Sequence, residues 1–292
     1  MKVSGFSFIK NALIYDFPIA EAIKSILPIC DEFVVAVGKS DDNTLDLIAK
    51  IDPGKIKIIQ TQWDESLREG GRVLATETDK AFAHVSEDSD WAFYIQGDEV
   101  VHEKYLDTIY DGMLNYNDNA HIDGLLFKYL HFYGSFDYVG ASSKWYKHEI
   151  RVIRNDKSIY SYRDAQGFRK GDNEKLRVQP IDAYVYHYGW VKEPETMQVK
   201  LENNSKYWHD DQWIDDNIRT EDNSYAYDHH VNELKLFTGG HPLVMKKRIE
   251  AKNWKFDYDI SRNRKSTKDK LRKILNKVFG IDFDYKNYRI VK

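Results

Sequence analysis

Phe33-Val34-Val35-Ala36-Val37, running into Gly38-Lys39-Ser40-Asp41-Asp42-Asn43-Thr44, decides the fold class. Five consecutive apolar residues, three of them β-branched, carry no polar alternation. A strand with that pattern is buried on both faces, as in a parallel sheet covered by helices. The polar turn after it holds good helix-starting residues, so the chain leaves the strand and enters a helix over Thr44 to Ile51.

The same rhythm repeats on either side. Val3 to Ile9, Ile56 to Ile59 and Trp91 to Ile95 read as further strands. Phe17 to Leu27 places Phe17, Ala20, Ile23 and Leu27 on one helical face, with Pro18 tolerated in the first turn. Ser66 to Val85 and Glu103 to Leu114 read as helices. Strands alternating with helices imply a parallel sheet. After Gly124 the pattern changes. Leu125 to Tyr133, Glu149 to Arg154, Ser158 to Tyr162 and Ala183 to Tyr188 are strand-like, and helical signal returns over Pro194 to Tyr207. No long polar linker separates the halves, so one compact two-lobed α/β unit is expected.

Composition narrows the function classes. The chain has 292 residues, 42% hydrophobic and 31% charged, as a folded globular protein should. No apolar run is long enough for a membrane-spanning helix. The first ten residues have no apolar core or small-residue cleavage site, which argues against a secretory signal. The single Cys30 excludes an internal disulfide and a cysteine zinc site, so a reducing, cytoplasmic compartment is expected. A net charge of −4 argues against a nucleic-acid partner. There is no G-x-G-x-x-G after the first strand and no G-x-S-x-G, which disfavours dinucleotide and serine-nucleophile chemistry.

In open parallel sheets ligands bind outside the carboxyl ends of the strands. Three such ends are polar here: Lys10-Asn11, Gly38 to Thr44, and Gln96-Gly97-Asp98-Glu99. Each alone is a turn or a helix cap; together they suggest one site. Asp98 and Glu99 offer hard oxygen ligands of the kind Mg²⁺ or Mn²⁺ takes, completed by substrate phosphates and water. Gly97 leaves room for a ligand against the backbone. Arg68 and Arg72 fall one turn apart in the expected helix, where guanidinium suits phosphate.

These stretches resemble the inverting glycosyltransferases of family 2. Ser40, Asp42 and Thr44 match the S-x-D-x-T that follows their second strand, and Asp98-Glu99 matches the end of their D-x-D-E motif. Gln96 stands where the first Asp of D-x-D belongs. The resemblance is clearest over residues 3 to 115 and looser from Arg151 to Trp190. It implies a GT-A fold, a Rossmann-like, mostly parallel central sheet flanked by helices, with a mixed C-terminal lobe. Residues 1–118 would form the nucleotide-binding half and 119–245 the acceptor half, followed by an extension over 246–292. It further implies a nucleoside diphosphate sugar donor, UDP-sugar first, a glycan or lipid-linked acceptor, and a divalent cation, Mn or Mg. Asn11, Ser40, Asp42, Arg72, Gln96 and Asp98 would contact the nucleotide. Asp98 and the late His187 would hold the metal, and Asp164 would be the general base, with Glu149 and Asp172 as rivals. Tyr133, Trp145, Tyr146 and Trp190 are candidate sugar-stacking faces. A non-catalytic glycan- or nucleotide-binding protein on the same fold is the alternative, favoured by Gln96. A nucleotidyltransferase is disfavoured because no glycine-rich phosphate loop follows the first strand.

The segment 262–279 carries Arg262, Arg264, Lys265, Lys268, Lys270, Arg272, Lys273 and Lys277 against Asp269, with apolar residues at helical spacing. It reads as a basic amphipathic helix, either packed on the domain or resting on an anionic membrane surface.

Overall fold

The structure is a computed structural model, and it describes residues 1–231, 233–263 and 286–291. The basic helix expected over 262–279 lies almost wholly outside the described residues.

In chain order the elements are β1 (Val3–Ile9), α1 (Ile19–Ile26), β2 (Glu32–Gly38), α2 (Thr44–Ala49), β3 (Ile56–Thr61), α3 (Arg72–Ala83), β4 (Trp91–Tyr94), β5 (Glu99–Val101), α4 (Leu106–Asn115), β6 (Gly124–Tyr133) and β7 (Ser135–Gly140). The second half continues with β8 (His148–Arg154), β9 (Ile159–Tyr162), β10 (Gly167–Lys170), β11 (Glu174–Trp190), α5 (Pro194–Ser205), α6 (Asp211–Asn217), α7 (Tyr227–His230), β12 (Leu234–Leu236), α8 (Lys246–Glu250) and β13 (Tyr288–Ile290).

The main path through the sheet is β3-β2-β1-β4-β8-β6-β11-β10-β9. The strands β3, β2, β1 and β4 are parallel. Along the path only β8 and β10 run against the others. The expected α/β architecture is therefore present: a mostly parallel central sheet flanked by helices, passing into a mixed lobe.

The Phe33 to Val37 run behaves as its composition requires. Phe33, Val35 and Val37 join the core under α1, α2 and α4, with Ile19, Ile23, Ile48 and Met113. Val34 and Ala36 point to the opposite face, with Ala81 and Phe82 of α3 and Phe168 of β10. Burying each large apolar side chain contributes about 1.5–3 kcal/mol, so this strand is sandwiched from both sides.

Two departures from the sequence expectation matter for the site. The helix expected from Ser66 begins at Arg72, because Gly70 and Gly71 take left-handed backbone (φ 60° and 68°). Such φ values suit glycine and interrupt a helix. Arg68 therefore lies in the preceding loop and does not share a helix turn with Arg72. The strand expected over Ala183 to Tyr188 is part of the longer β11, whose register against β6 shifts between Pro180 and Tyr184. Pro180 has no N–H to give to the ladder, which is why the strand reads as interrupted in sequence.

Candidate functional site

The loops after β1 and β2 interlock. Asn11, at φ 52°, accepts from the Asp41 N–H (2.8 Å), and its own N–H donates to Ser40 Oγ (3.0 Å). Asp42 Oδ2 accepts from the N–H groups of Leu13 and Ile14 (2.9 Å each). Its Oδ1 accepts from the Thr44 N–H (2.9 Å) and from the Thr44 hydroxyl, while Thr44 Oγ1 accepts from the Ala12 N–H (2.7 Å). Burial would raise the Asp42 carboxyl, but these bonds hold it below its usual range. The S-x-D-x-T pattern thus ties down the chain between β1 and α1. Ser40 and Asp42 also edge an open groove beside Thr61 at the ends of β2 and β3.

The fourth strand end faces a different space. A solvent-open cleft of about 130 Å³ is lined by Phe8, Lys10, Tyr15, Phe17, Trp63, Gln96, Gly97, Asp98, Lys200, Asn204 and Tyr207. Its aromatic walls with a few converging polar groups are of the kind small-molecule sites use. The glycine at 97 serves packing here: a Cβ on it would lie 2.9 Å from Ile9 Cδ1.

Asp98 and Glu99 part company. Asp98 lies in the turn that precedes β5, and Glu99 is the first residue of the strand. Glu99 is fully buried, takes both arms of the Arg151 guanidinium (2.7 Å each), and accepts from Tyr129 Oη (2.7 Å) and the Gln96 N–H (3.1 Å). It is a structural anchor, and the paired-carboxylate reading of the sequence reduces to Asp98.

Asp98 faces the cleft. Its Oδ2 lies 3.4 Å from Lys200 Nζ and 3.7 Å from His187 Nε2. Burial would raise its carboxyl, but His187, Lys200 and Lys192 outweigh burial and hold it down at about 2. His187 arrives through β11, where it pairs with Glu99 of β5. Its Nδ1 lies 3.2 Å from His131 Nδ1, and His131 Nε2 lies 2.8 Å from the Tyr146 carbonyl oxygen. The carbonyl only accepts, so His131 carries its proton on Nε2 and accepts at Nδ1 from His187. Burial lowers both imidazoles, His131 to about 3. Neutral His187 is then left with a lone pair on Nε2, beside the Asp98 carboxylate. This donor pair suits a divalent ion whose remaining ligands come from substrate and water, and the imidazole favours Mn²⁺ over Mg²⁺. Among the described residues no set of three or more His, Cys, Asp or Glu side chains is gathered for a metal.

Lys192 and Lys200 were not legible as site residues. Lys192 is fully buried, donates to the Asp16 carbonyl oxygen (2.6 Å), and lies 4.8 Å from the Phe17 ring. Lys200, on α5, donates to the Gly189 carbonyl oxygen (2.8 Å) and lies 4.9 Å from the centre of the same ring. Burial lowers both ammonium groups, Lys192 to about 7. Nothing in the local sequence separates them from surface lysines.

Gln96 donates from Nε2 to the Ala165 carbonyl oxygen (3.1 Å) and to Tyr94 Oη (3.3 Å). An aspartate could make neither bond. Gln96 therefore pins the tip of the β9–β10 hairpin, where Arg163 and Ala165 take positive φ (58° and 64°) on either side of Asp164. Asp164 is half-buried, and burial raises its carboxyl. It packs against Gly71, where a Cβ would lie 2.6 Å from Asp164 Cβ and 2.9 Å from Trp208. Tyr207, the residue before Trp208, lines the cleft and accepts at its carbonyl from the Gly71 N–H (3.0 Å). Of the rivals, Glu149 is buried and pushed up to about 8 by burial, with Glu99 and Asp164 adding to it. Asp172 is exposed in the β10–β11 turn.

Arg72 is exposed on the first turn of α3 and does not line the cleft. Arg68 donates to the carbonyl oxygens of Lys206 (2.9 Å) and His209 (2.8 Å) and pairs with Asp211 (2.8 Å), closing the α5–α6 segment over the loop. Of the aromatic candidates, Trp145 stacks on His131 (5.1 Å, 27°) and meets Trp190 edge-on (6.2 Å), while His131 in turn meets His187 (5.0 Å); neither tryptophan lines the cleft.

No family model matches the chain, and no curated protein matches it. Among solved structures, residues 1–349 of S. aureus TarS share 16% identity at a TM-score of 0.40, over 71% of this chain. The chain spans 65% of that structure's length. The same TarS segment has been solved with UDP-GlcNAc. Glucosyl-3-phosphoglycerate synthase from Mycobacterium tuberculosis, solved with Mn²⁺, UDP and glucosyl-3-phosphoglycerate, shares 17% identity at a TM-score of 0.31 over 46% of this chain and 45% of its own. The 4-diphosphocytidyl-2C-methyl-D-erythritol synthase of Anaerococcus prevotii shares 13% identity at a TM-score of 0.39, over 70% of this chain and 97% of its own.

Proposed function

We propose that the chain transfers a sugar from a nucleoside diphosphate sugar to an acceptor hydroxyl, with inversion at the anomeric carbon. The observation that carries this reading is the meeting of Asp98, His187 and Lys200 at the carboxyl edge of the parallel strands, against a cleft walled by Tyr15, Trp63 and Tyr207. Beside the single Asp98 carboxylate, the Lys200 ammonium gives the cleft a fixed positive charge, suited to a diphosphate. The flat rings suit a base or a sugar face.

In this mechanism the acceptor oxygen attacks the anomeric carbon, the bond to the β-phosphate oxygen breaks, and the diphosphate leaves with the electron pair. Asp164 takes the hydroxyl proton. Its raised carboxyl, at a hairpin tip pinned by Gln96, makes it a better base than a fully solvated carboxylate. Asp98 and His187 would hold a divalent ion, which would supply Lewis-acid stabilisation of the leaving diphosphate. The Trp145 and Trp190 rings supply the acceptor-side faces. A UDP-sugar donor, a glycan or lipid-linked acceptor and a role in surface polysaccharide or glycolipid synthesis follow from the family resemblance. Residence in the cytoplasm is proposed from the single Cys30, and contact with an anionic membrane surface from the basic segment 262–279. Among the described residues no helix is long and apolar enough to cross a membrane.

The test is release of free nucleoside diphosphate from UDP-glucose, UDP-GlcNAc, GDP-mannose and dTDP-glucose, with water or added glycans as acceptor. Turnover of one donor that falls at least about 100-fold in Asp164→Asn, with unchanged donor affinity, supports the assignment. Binding of a donor with no turnover under any acceptor favours the non-catalytic alternative.

A further inference from the structure

We propose, resting on the transferase reading, that Lys200 is a built-in cation for the donor's diphosphate, so that nucleotide binding does not depend wholly on a metal ion. The motif that would supply two carboxylates supplies one, since Gln96 is committed to the Ala165 carbonyl and Tyr94. In the space beside Asp98 stands an ammonium, Lys200 Nζ, 3.4 Å from Oδ2.

An ammonium has three donors. One Lys200 proton goes to the Gly189 carbonyl oxygen at 2.8 Å and a second is directed to Asp98. The third remains for the cleft, which Lys200 lines together with Gln96, Gly97 and Asp98. The side chain is only 11% exposed, so it is held in place rather than sampling solvent. Its carrier is rigid: Met197 and Gln198 on the same helix are buried. Lys192 lies near the same Phe17 ring, 4.8 Å from its centre against 4.9 Å for Lys200. A diphosphate oxygen entering the cleft therefore meets a fixed, partly desolvated positive charge, which binds anions more strongly than a solvated lysine does.

The experiment is calorimetric titration of the full chain with UDP, GDP, ADP and CDP, and with the matching monophosphates, first in EDTA and then in Mn²⁺. Wild type, Lys200→Met, Lys200→Gln and Lys200→Arg are compared, each checked for native circular dichroism. Glutamine keeps a donor for Gly189 without the charge, so a folded uncharged variant is available if methionine fails. The expected result is that one diphosphate binds wild type in EDTA and that Met or Gln weakens it roughly 10- to 100-fold. Arginine should restore most of the affinity, and the monophosphate should change little. Diphosphate binding that requires Mn²⁺ in wild type overturns the proposal while leaving the transferase reading intact. So does equal affinity in wild type and the uncharged variants, or equal weakening of mono- and diphosphate. If no nucleotide binds in either buffer, the transferase reading fails and this proposal with it.

Discussion

His187 pairs with Glu99 across the antiparallel register of β5 and β11, and that register sets His187 Nε2 3.7 Å from Asp98 Oδ2. Glu99 is the fixed point of this arrangement. Its bidentate bond to Arg151 locks the start of β5, which fixes the direction in which Asp98 leaves the strand. The site therefore depends on a buried ion pair that does not itself touch the cleft.

Removing one partner of that pair should be costly. Both side chains are fully buried, and an uncompensated buried charge costs about 3–5 kcal/mol. Arg151→Met is expected to lower the urea midpoint accordingly, and Arg151→Met with Glu99→Gln to recover a large part of the loss. A single variant as stable as wild type would contradict the role given to the pair.

Gly189 leaves the room that Asp98 occupies. A Cβ there would lie 2.5 Å from Asp98 Oδ2 and 2.8 Å from His187 Nε2. Gly189→Ala should displace the carboxylate at a stability cost of about 1–3 kcal/mol. Nucleoside diphosphate affinity should fall by roughly tenfold or more, as for loss of one charge-assisted bond. Unchanged affinity, measured by titration, would show that Asp98 does not serve the ligand.

Gln96 can be tested apart from binding. Gln96→Met nearly keeps the size and adds no charge to the cleft, but removes the Nε2 donor to Ala165. The hairpin that carries Asp164 should loosen, so kcat should drop while nucleotide affinity is largely retained. A fall in affinity with kcat intact would instead make Gln96 a ligand contact.

Lys192 gives a pH signature. Burial lowers its ammonium to about 7, with Lys200 and Arg248 acting the same way against Asp16 and Asp98. An unfolded lysine titrates near about 10.4. Between these two values the unfolded chain binds the extra proton, so stability rises with pH across that window. The contribution is complete above the unfolded value and is lost as pH falls through about 7. Lys192→Met should flatten the difference in urea stability between about pH 6 and about pH 9. A variant with the wild-type slope refutes the assignment.

The sequence shows the α/β half well because its strands are fully buried and its helices amphipathic. Phe33 to Val37 and the Thr44 helix are found where their patterns place them. The strands β5, β12 and β13, of three residues each, are too short to show a period. The Ser66 helix start failed because Gly70 and Gly71 act through φ, which apolar spacing does not report. At the site, Asp98 and His187 are legible as polar residues at strand ends, and they do come together. Ser40, Asp42 and Asn11 are equally legible, yet their polar atoms hold one loop to another. Lys192 and Lys200 were missed because only long-range packing buries them.

The most direct test of the central claim is titration of wild type and Asp98→Asn with uridine, guanosine, adenosine and cytidine diphosphates in the presence of Mn²⁺. The account expects one diphosphate to bind wild type and to bind Asp98→Asn at least roughly tenfold more weakly, because the variant loses the carboxylate that would share a divalent ion with His187 and that holds Lys200 beside the cleft. Binding of none of the four to wild type, or equal binding to both proteins, would contradict it.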